Sequence, residues 1–121
     1  MSEICCVFDK TSMHEVLLDG SALPIKILDL AKRMIDFQVH PPTLVGAGCV
    51  YFGKELSNAM LFEPTETETK ETLENFAKSM NEINMSIDEK AEYLKQSPYQ
   101  TPVRRLDETK ANRELDINYY G

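Results

Sequence analysis

Few residues in this chain have the type and spacing to do chemistry. Cys5, Cys6 and Cys49 with His14 and His40 could be imagined as a zinc site, but their spacing matches no usual ligand pattern. Adjacent cysteines on a strand also point to opposite faces, so buried free thiols are expected and no metal site. Gly46-Ala47-Gly48 has the look of a phosphate loop. A dinucleotide fingerprint would place its third glycine at Tyr51, and no helix start follows to offer its dipole to an anion. A surface loop is the expectation there. The acidic run from Glu63 to Glu74 lacks the Asp-rich loop with a central glycine that calcium sites use, and it reads as a solvated helix start. Lys54 stands among apolar neighbours, where burial could lower its pKa enough for Schiff-base chemistry. Most lysines are solvated, and that is the expectation here.

His40 and the Arg104-Arg105 pair are of more interest. His40 precedes Pro41-Pro42, which hold the backbone rigid, so its imidazole is placed for recognition or acid–base work, or else caps the carbonyls of a preceding helix. The neighbouring guanidinium groups of Arg104 and Arg105 could hold a carboxylate or phosphate through paired hydrogen bonds. Pairing with the domain's own acidic helix, or with another domain, is the plainer alternative.

The elements that must position these residues follow from periodicity and punctuation. Ile4–Phe8 and Met13–Leu18 read as two strands joined as a hairpin through the turn-like Asp9-Lys10-Thr11-Ser12. Pro24 suits a first helical turn, and Ile27, Ala31, Met34 and Ile35 recur at helical spacing, so a helix is predicted over 24–37. It must end before Pro41. Leu44 to Cys49 reads as a loop, and Val50-Tyr51-Phe52 and Ala59–Phe62 as strands. Thr65 and Glu68 have the spacing of a capping box, opening a helix with Leu73, Phe76, Ala77, Met80 and Ile83 as its apolar stripe. Ser86 and Glu89 suggest a second box and a shorter helix with Ile87, Ala91 and Leu94 inward. Residues 97–121 are expected to be a loop-like tail. The pattern predicts one α+β domain over 1–121, an antiparallel or mixed sheet with helices on one face.

Bulk properties narrow the function classes. A length of 121 residues suits one domain. A formal net charge of -7 argues against nucleic acid and anionic membrane surfaces as partners. No apolar run approaches the ~20 residues of a membrane span, and no signal or transit peptide is visible. Three cysteines, two of them adjacent, make a poor disulfide framework, so a cytoplasmic setting is expected.

Several longer stretches, in order, carry a resemblance to a known family. They are Met13-His14-Glu15, Leu28-Asp29-Leu30-Ala31-Lys32-Arg33, His40-Pro41-Pro42-Thr43, Val50-Tyr51-Phe52, the run from Glu63 through Glu71, and Thr101-Pro102-Val103-Arg104-Arg105-Leu106-Asp107-Glu108. Over about Met13 to Arg113 the chain resembles the C-terminal end of pyridoxal-phosphate-dependent glycine decarboxylase, the P-protein of the glycine cleavage system. That resemblance implies the C-terminal small domain of a fold-type-I pyridoxal phosphate enzyme. The family is an oxidoreductase that decarboxylates glycine and passes the aminomethyl group to the lipoyl arm of H-protein. The implied partners are the large cofactor-binding domain or subunit and lipoylated H-protein. The family's cofactor lysine lies upstream of this region, so the chain is expected to bind no pyridoxal phosphate covalently and to be inactive alone. The resemblance points to His40, Thr43, Arg104 and Arg105 as cleft or interface residues. The chain departs from the family at Leu44–Cys49, an additional six residues, and at Gly53-Lys54, where the family has an apolar, proline-containing segment. The alternative is a truncated relative that acts as a non-catalytic interaction module.

Overall fold

The computed structural model describes residues 4–8, 10–45 and 52–118. Four strands, β1 (Cys5–Cys6), β2 (Val16–Asp19), β3 (Thr43–Val45) and β4 (Ala59–Phe62), form one antiparallel sheet in the order β1-β2-β4-β3. Three helices accompany it: α1 (Ile27–Ile35), α2 (Lys70–Leu94) and α3 (Glu108–Arg113). The architecture is α+β, as the pattern of elements predicts.

Register follows from side-chain alternation. β2 pairs with β4 through Val16↔Phe62, Leu17↔Leu61, Leu18↔Met60 and Asp19↔Ala59. One face of the sheet therefore carries Leu18, Met60 and Phe62, and the other carries Leu17, Ala59 and Leu61. The first face packs with Ile27, Leu30 and Met34 of α1 and Ile83, Ile87 and Leu94 of α2 in the main core. The second face holds a smaller cluster of Leu17, Val45 and Ala59, flanked by Val7, Phe52, Leu56 and Leu61. β4 serves both: Ala59 and Met60 are neighbours in sequence, and each is fully buried, on opposite sides.

The hairpin of the first two strands forms but is shorter than expected. Cys5 and Cys6 pair with Asp19 and Leu18 on an edge strand and are exposed, not buried as expected, while Cys49 lies outside the described part; Met13 to Glu15 lie exposed outside the ladder. Helix α1 begins three residues after Pro24, not at it. The reason is Asn58, whose Oδ1 accepts the Ile27 N–H at 2.8 Å while its Nδ2 donates to the Gly20 carbonyl at 2.6 Å. A side chain from the β4 approach thus supplies the cap that Lys26 does not. Gly20 is tied to the same residue through its own N–H to the Asn58 carbonyl, 2.8 Å. A Cβ there would meet Ile27 Cδ1 at 2.6 Å, so only glycine permits this approach. At its other end α1 closes with a Schellman motif. Gln38 N–H donates to Ile35 and Val39 N–H to Met34, with Gln38 left-handed at φ 61°.

Further expectations are corrected. Leu44 and Val45, read as the start of a loop, belong to β3 because they find β4 as a partner: Leu44 faces Met60 and Val45 faces Ala59. Of the predicted strand Val50-Tyr51-Phe52, the first two residues lie outside the described part, and Phe52 sits in a turn. Residues 46–49 likewise lie outside the described part. Helix α2 starts later than the Thr65 box: Thr69 is its N-cap and accepts the Thr72 N–H at 3.1 Å. Thr65 instead makes a turn, its carbonyl accepting the Glu68 N–H. Nor does Ser86 open a new helix. Its hydroxyl donates back to the Ile83 carbonyl, and the helix runs on to a kink at Lys90 (φ -120°, ψ 25°). The segment from Ser97, expected to be loop-like, carries the short α3, capped by Asp107.

Candidate functional site

Three of the family-like stretches meet at one end of the sheet. Val16 opens β2 opposite Phe62, the last residue of β4, and Thr43 opens β3 opposite Leu61. Met13-His14-Glu15, His40-Pro41-Pro42 and Glu63-Pro64-Thr65 all adjoin these strand ends. Stretches far apart in sequence are thus brought side by side by the ladder. An open groove of about 640 Å³ lies there, with Met13, His14, Glu15, Pro64, Glu66 and Leu73 among its walls. His14 Nε2 is 3.6 Å from Glu15 Oε1, and both side chains are more than half exposed. His40 and Thr43 are exposed as well. His40 is not a helix cap: the last carbonyls of α1 are already taken by the Gln38 and Val39 N–H groups.

Arg104 and Arg105 sit elsewhere and have local partners. Arg105 Nη2 donates to Asp29 Oδ1 at 2.7 Å, in the first turn of α1 rather than on the acidic α2. Arg104 donates from Nε to the Pro98 carbonyl at 3.1 Å and from Nη2 to the Gln96 carbonyl at 3.0 Å. Its guanidinium also lies 4.2 Å from the Tyr99 ring centroid. Tyr99 stacks on Tyr93 at 4.1 Å, and Arg33 lies over both Tyr93 (5.3 Å) and Phe37 (4.9 Å). The result is a ladder of alternating rings and guanidinium groups, Phe37–Arg33–Tyr93–Tyr99–Arg104, joining α1, α2 and the segment after α2.

One carboxylate anchors that ladder. Asp36 is buried, and its Oδ1 accepts the N–H groups of Tyr99 (2.7 Å) and Gln100 (2.8 Å). Its Oδ2 receives Arg33 Nη1 at 2.7 Å. Burial alone would push this carboxyl's pKa up. The two backbone N–H groups and the Arg33 guanidinium together outweigh burial and hold it below its ordinary value. Asp36 stood out only as following the family-like stretch that ends at Arg33, and Tyr93 and Tyr99 were not legible, because nothing in their local sequence sets them apart from other aromatic residues.

Pyridoxal phosphate, implied by the resemblance, needs a lysine held in an enclosed cleft that also binds its phosphate. The Lys54 side chain lies outside the described part; among the lysine side chains described none is buried: Lys32 is half-exposed, and Lys90 is exposed beside an open groove of about 580 Å³ that also carries Glu82 and Glu89. The described residues do not fit the cofactor by themselves. Among them no group of three or more His, Cys, Asp or Glu could hold a metal ion, and no helix is long and apolar enough to cross a membrane.

Comparison with known proteins decides the family. The glycine dehydrogenase C-terminal domain family matches residues 7–105. The chain belongs to this family. It is 48% identical over 114 residues to the probable glycine dehydrogenase (decarboxylating) subunit 2 of Caldanaerobacter subterraneus subsp. tengcongensis, covering 92% of this chain and 22% of that protein. The corresponding protein of Chlorobium phaeobacteroides is 44% identical over 114 residues (91% of this chain, 22% of that protein). That of Bacillus licheniformis is 41% identical over 115 residues (93% and 22%). The chain spans about a fifth of the length of these curated relatives. In this glycine dehydrogenase C-terminal domain Thr43 opens β3 and His40 precedes it, neither being among the groove walls, while Arg105 bonds Asp29 of α1 and Arg104 bonds the Pro98 and Gln96 carbonyls.

Proposed function

We propose that this chain is the C-terminal part of a pyridoxal-phosphate-dependent glycine decarboxylase, packing beside the large domain that holds the cofactor lysine and completing the cleft over substrate. The carrying observation is the family match across residues 7–105, joined to a span of only 22% of relatives named glycine dehydrogenase (decarboxylating) subunit 2. The open sheet end with His14, His40 and Thr43 is a half-site, which is what a shared cleft requires. His40 and Thr43 face the cleft, and Arg104 and Arg105, away from it, hold the segment after α2 against the domain where it meets its neighbour. The carbon left after decarboxylation passes to the lipoyl arm of H-protein, and the activity belongs to the cytoplasm.

A chimera tests the proposal. This chain replaces the C-terminal fifth of the Caldanaerobacter subunit, and glycine-dependent release of carbon dioxide is measured with the partner subunit and H-protein present. The chimera is expected to be active, and the 121-residue chain alone, given pyridoxal phosphate and glycine, is expected to release nothing. His40→Ala in the chimera is expected to lower kcat about 10- to 100-fold if the imidazole moves a proton. Carbon dioxide release by the isolated chain, or a dead chimera beside an active relative, would refute the proposal.

A further inference from the structure

The segment after Arg105 stands apart from the rest of the domain. Arg104 and Arg105 are fixed to Tyr99, Pro98, Gln96 and Asp29, so the chain leaves the domain at a defined point. Every residue from 106 to 118 is exposed, and the capping bonds of α3, from Ala111 N–H to the Asp107 carbonyl, Lys110 N–H to Asp107 Oδ1 and Glu114 N–H to the Lys110 carbonyl, run within the segment itself. Yet this segment is not a polar tail. Leu106 is 63% exposed, Leu115 73% and Ile117 82%. Leu115 and Ile117 sit at alternate positions, separated by Asp116, in an irregular stretch after α3. Large apolar side chains gathered on a segment with no core of its own mark a surface that something else covers.

We infer that residues 106–118 are a docking arm whose apolar side chains, Leu106, Leu115 and Ile117, seat against the preceding four-fifths of the glycine dehydrogenase subunit. This rests on the proposed function and deepens it by naming the contact. The occupant is indicated by length: the matched share is only 22% of the first relative's length, and the family match is to a C-terminal domain, so most of that relative's polypeptide precedes this region. The seat requires an apolar strip on the upstream domain. The mixed charges of the arm, Asp107, Glu108, Lys110, Arg113, Glu114 and Asp116, suit the polar rim of such a contact.

Hydrogen exchange on the isolated chain and on the chimera tests this. Amides of residues 106–118 are expected to exchange at least about 10-fold more slowly in the chimera than in the isolated chain. The triple substitution Leu106→Asp, Leu115→Asp and Ile117→Asp in the chimera is expected to abolish that protection. In the isolated chain the same triple variant is expected to melt with the wild type, because these side chains are exposed there. Equally fast exchange in an active chimera would overturn the docking inference while leaving the catalytic proposal intact. Protection in an inactive chimera would do the reverse. A triple variant that lowers the melting temperature of the isolated chain shows that the arm packs on its own domain, and overturns the inference. So does an isolated wild-type dimer that the triple substitution dissociates, since the occupant is then a second copy.

Discussion

Asp36 carries more of the domain's local order than any other polar side chain described. It receives two backbone N–H groups and one guanidinium, and it closes a loop between α1 and the segment after α2. Replacing it by alanine leaves two N–H groups and the Arg33 charge without their acceptor in a buried site. Asp36→Ala is expected to destabilise the domain by about 3–5 kcal/mol, read by urea denaturation. The same group sets an acid limit. Because its native pKa is depressed, the unfolded chain takes up its proton first as pH falls. The contribution of Asp36 is therefore complete above the ordinary carboxyl pKa of about 3.9 and is lost as pH drops from there through the lower native value. Unfolding free energy measured between pH 6 and pH 3 is expected to fall less steeply in Asp36→Asn than in wild type. Equal slopes would show that the carboxylate is not the linked group.

At the scale of elements, α2 shows how local signals compete. Thr65-x-x-Glu68 and Thr69-x-x-Thr72 both offer a cap, and the structure uses the second. Pro64 holds the chain extended as it leaves β4, and the intervening turn lets α2 begin where it can reach α1. Thr69→Ala is expected to cost about 1 kcal/mol. Thr65→Ala, in an exposed turn, is expected to fall within about 0.5 kcal/mol of wild type. A reversed order of the two, in thermal melts, would contradict the assigned start. The first turns of α2 also stand off the core: Leu73 is 41% exposed although it lies on the apolar stripe. Burial deepens toward Ile83, Ile87 and Leu94, so the helix is held at its middle and end. The kink at Lys90 falls between these anchors, where it lets the final turn bring Tyr93 over Arg33.

For the whole molecule, one strand joins two clusters of unequal size. Met60 lies in the large cluster between sheet and helices, and Ala59 in the small one on the opposite face. Met60→Ala is expected to cost about 2–5 kcal/mol, the range for a fully buried large-to-small change. Leu61→Ala, half-buried beside the small cluster, is expected to cost clearly less in the same assay. A one-residue slip of β4 would exchange the two faces, so this difference also tests the register.

The amino-acid sequence alone determined the class of the domain, the helical character of the α1 and α2 regions, the inward positions Ile27, Ala31, Met34, Ile87 and Leu94, and the family through its ordered stretches. These depend on periodicity and on neighbours in the chain, which a sequence displays directly. Only the tertiary structure decided that Asn58 caps α1, that Leu44 and Val45 join the sheet, and that Asp36 fastens the segment at Tyr99 and Gln100. Each of these joins groups far apart in sequence through a hydrogen bond or a ladder position, and either partner alone looks ordinary. The same holds for the site. His40 was conspicuous from its prolines, whereas its setting beside Met13-His14-Glu15 and Glu63-Pro64-Thr65 exists only once β2, β3 and β4 are in register.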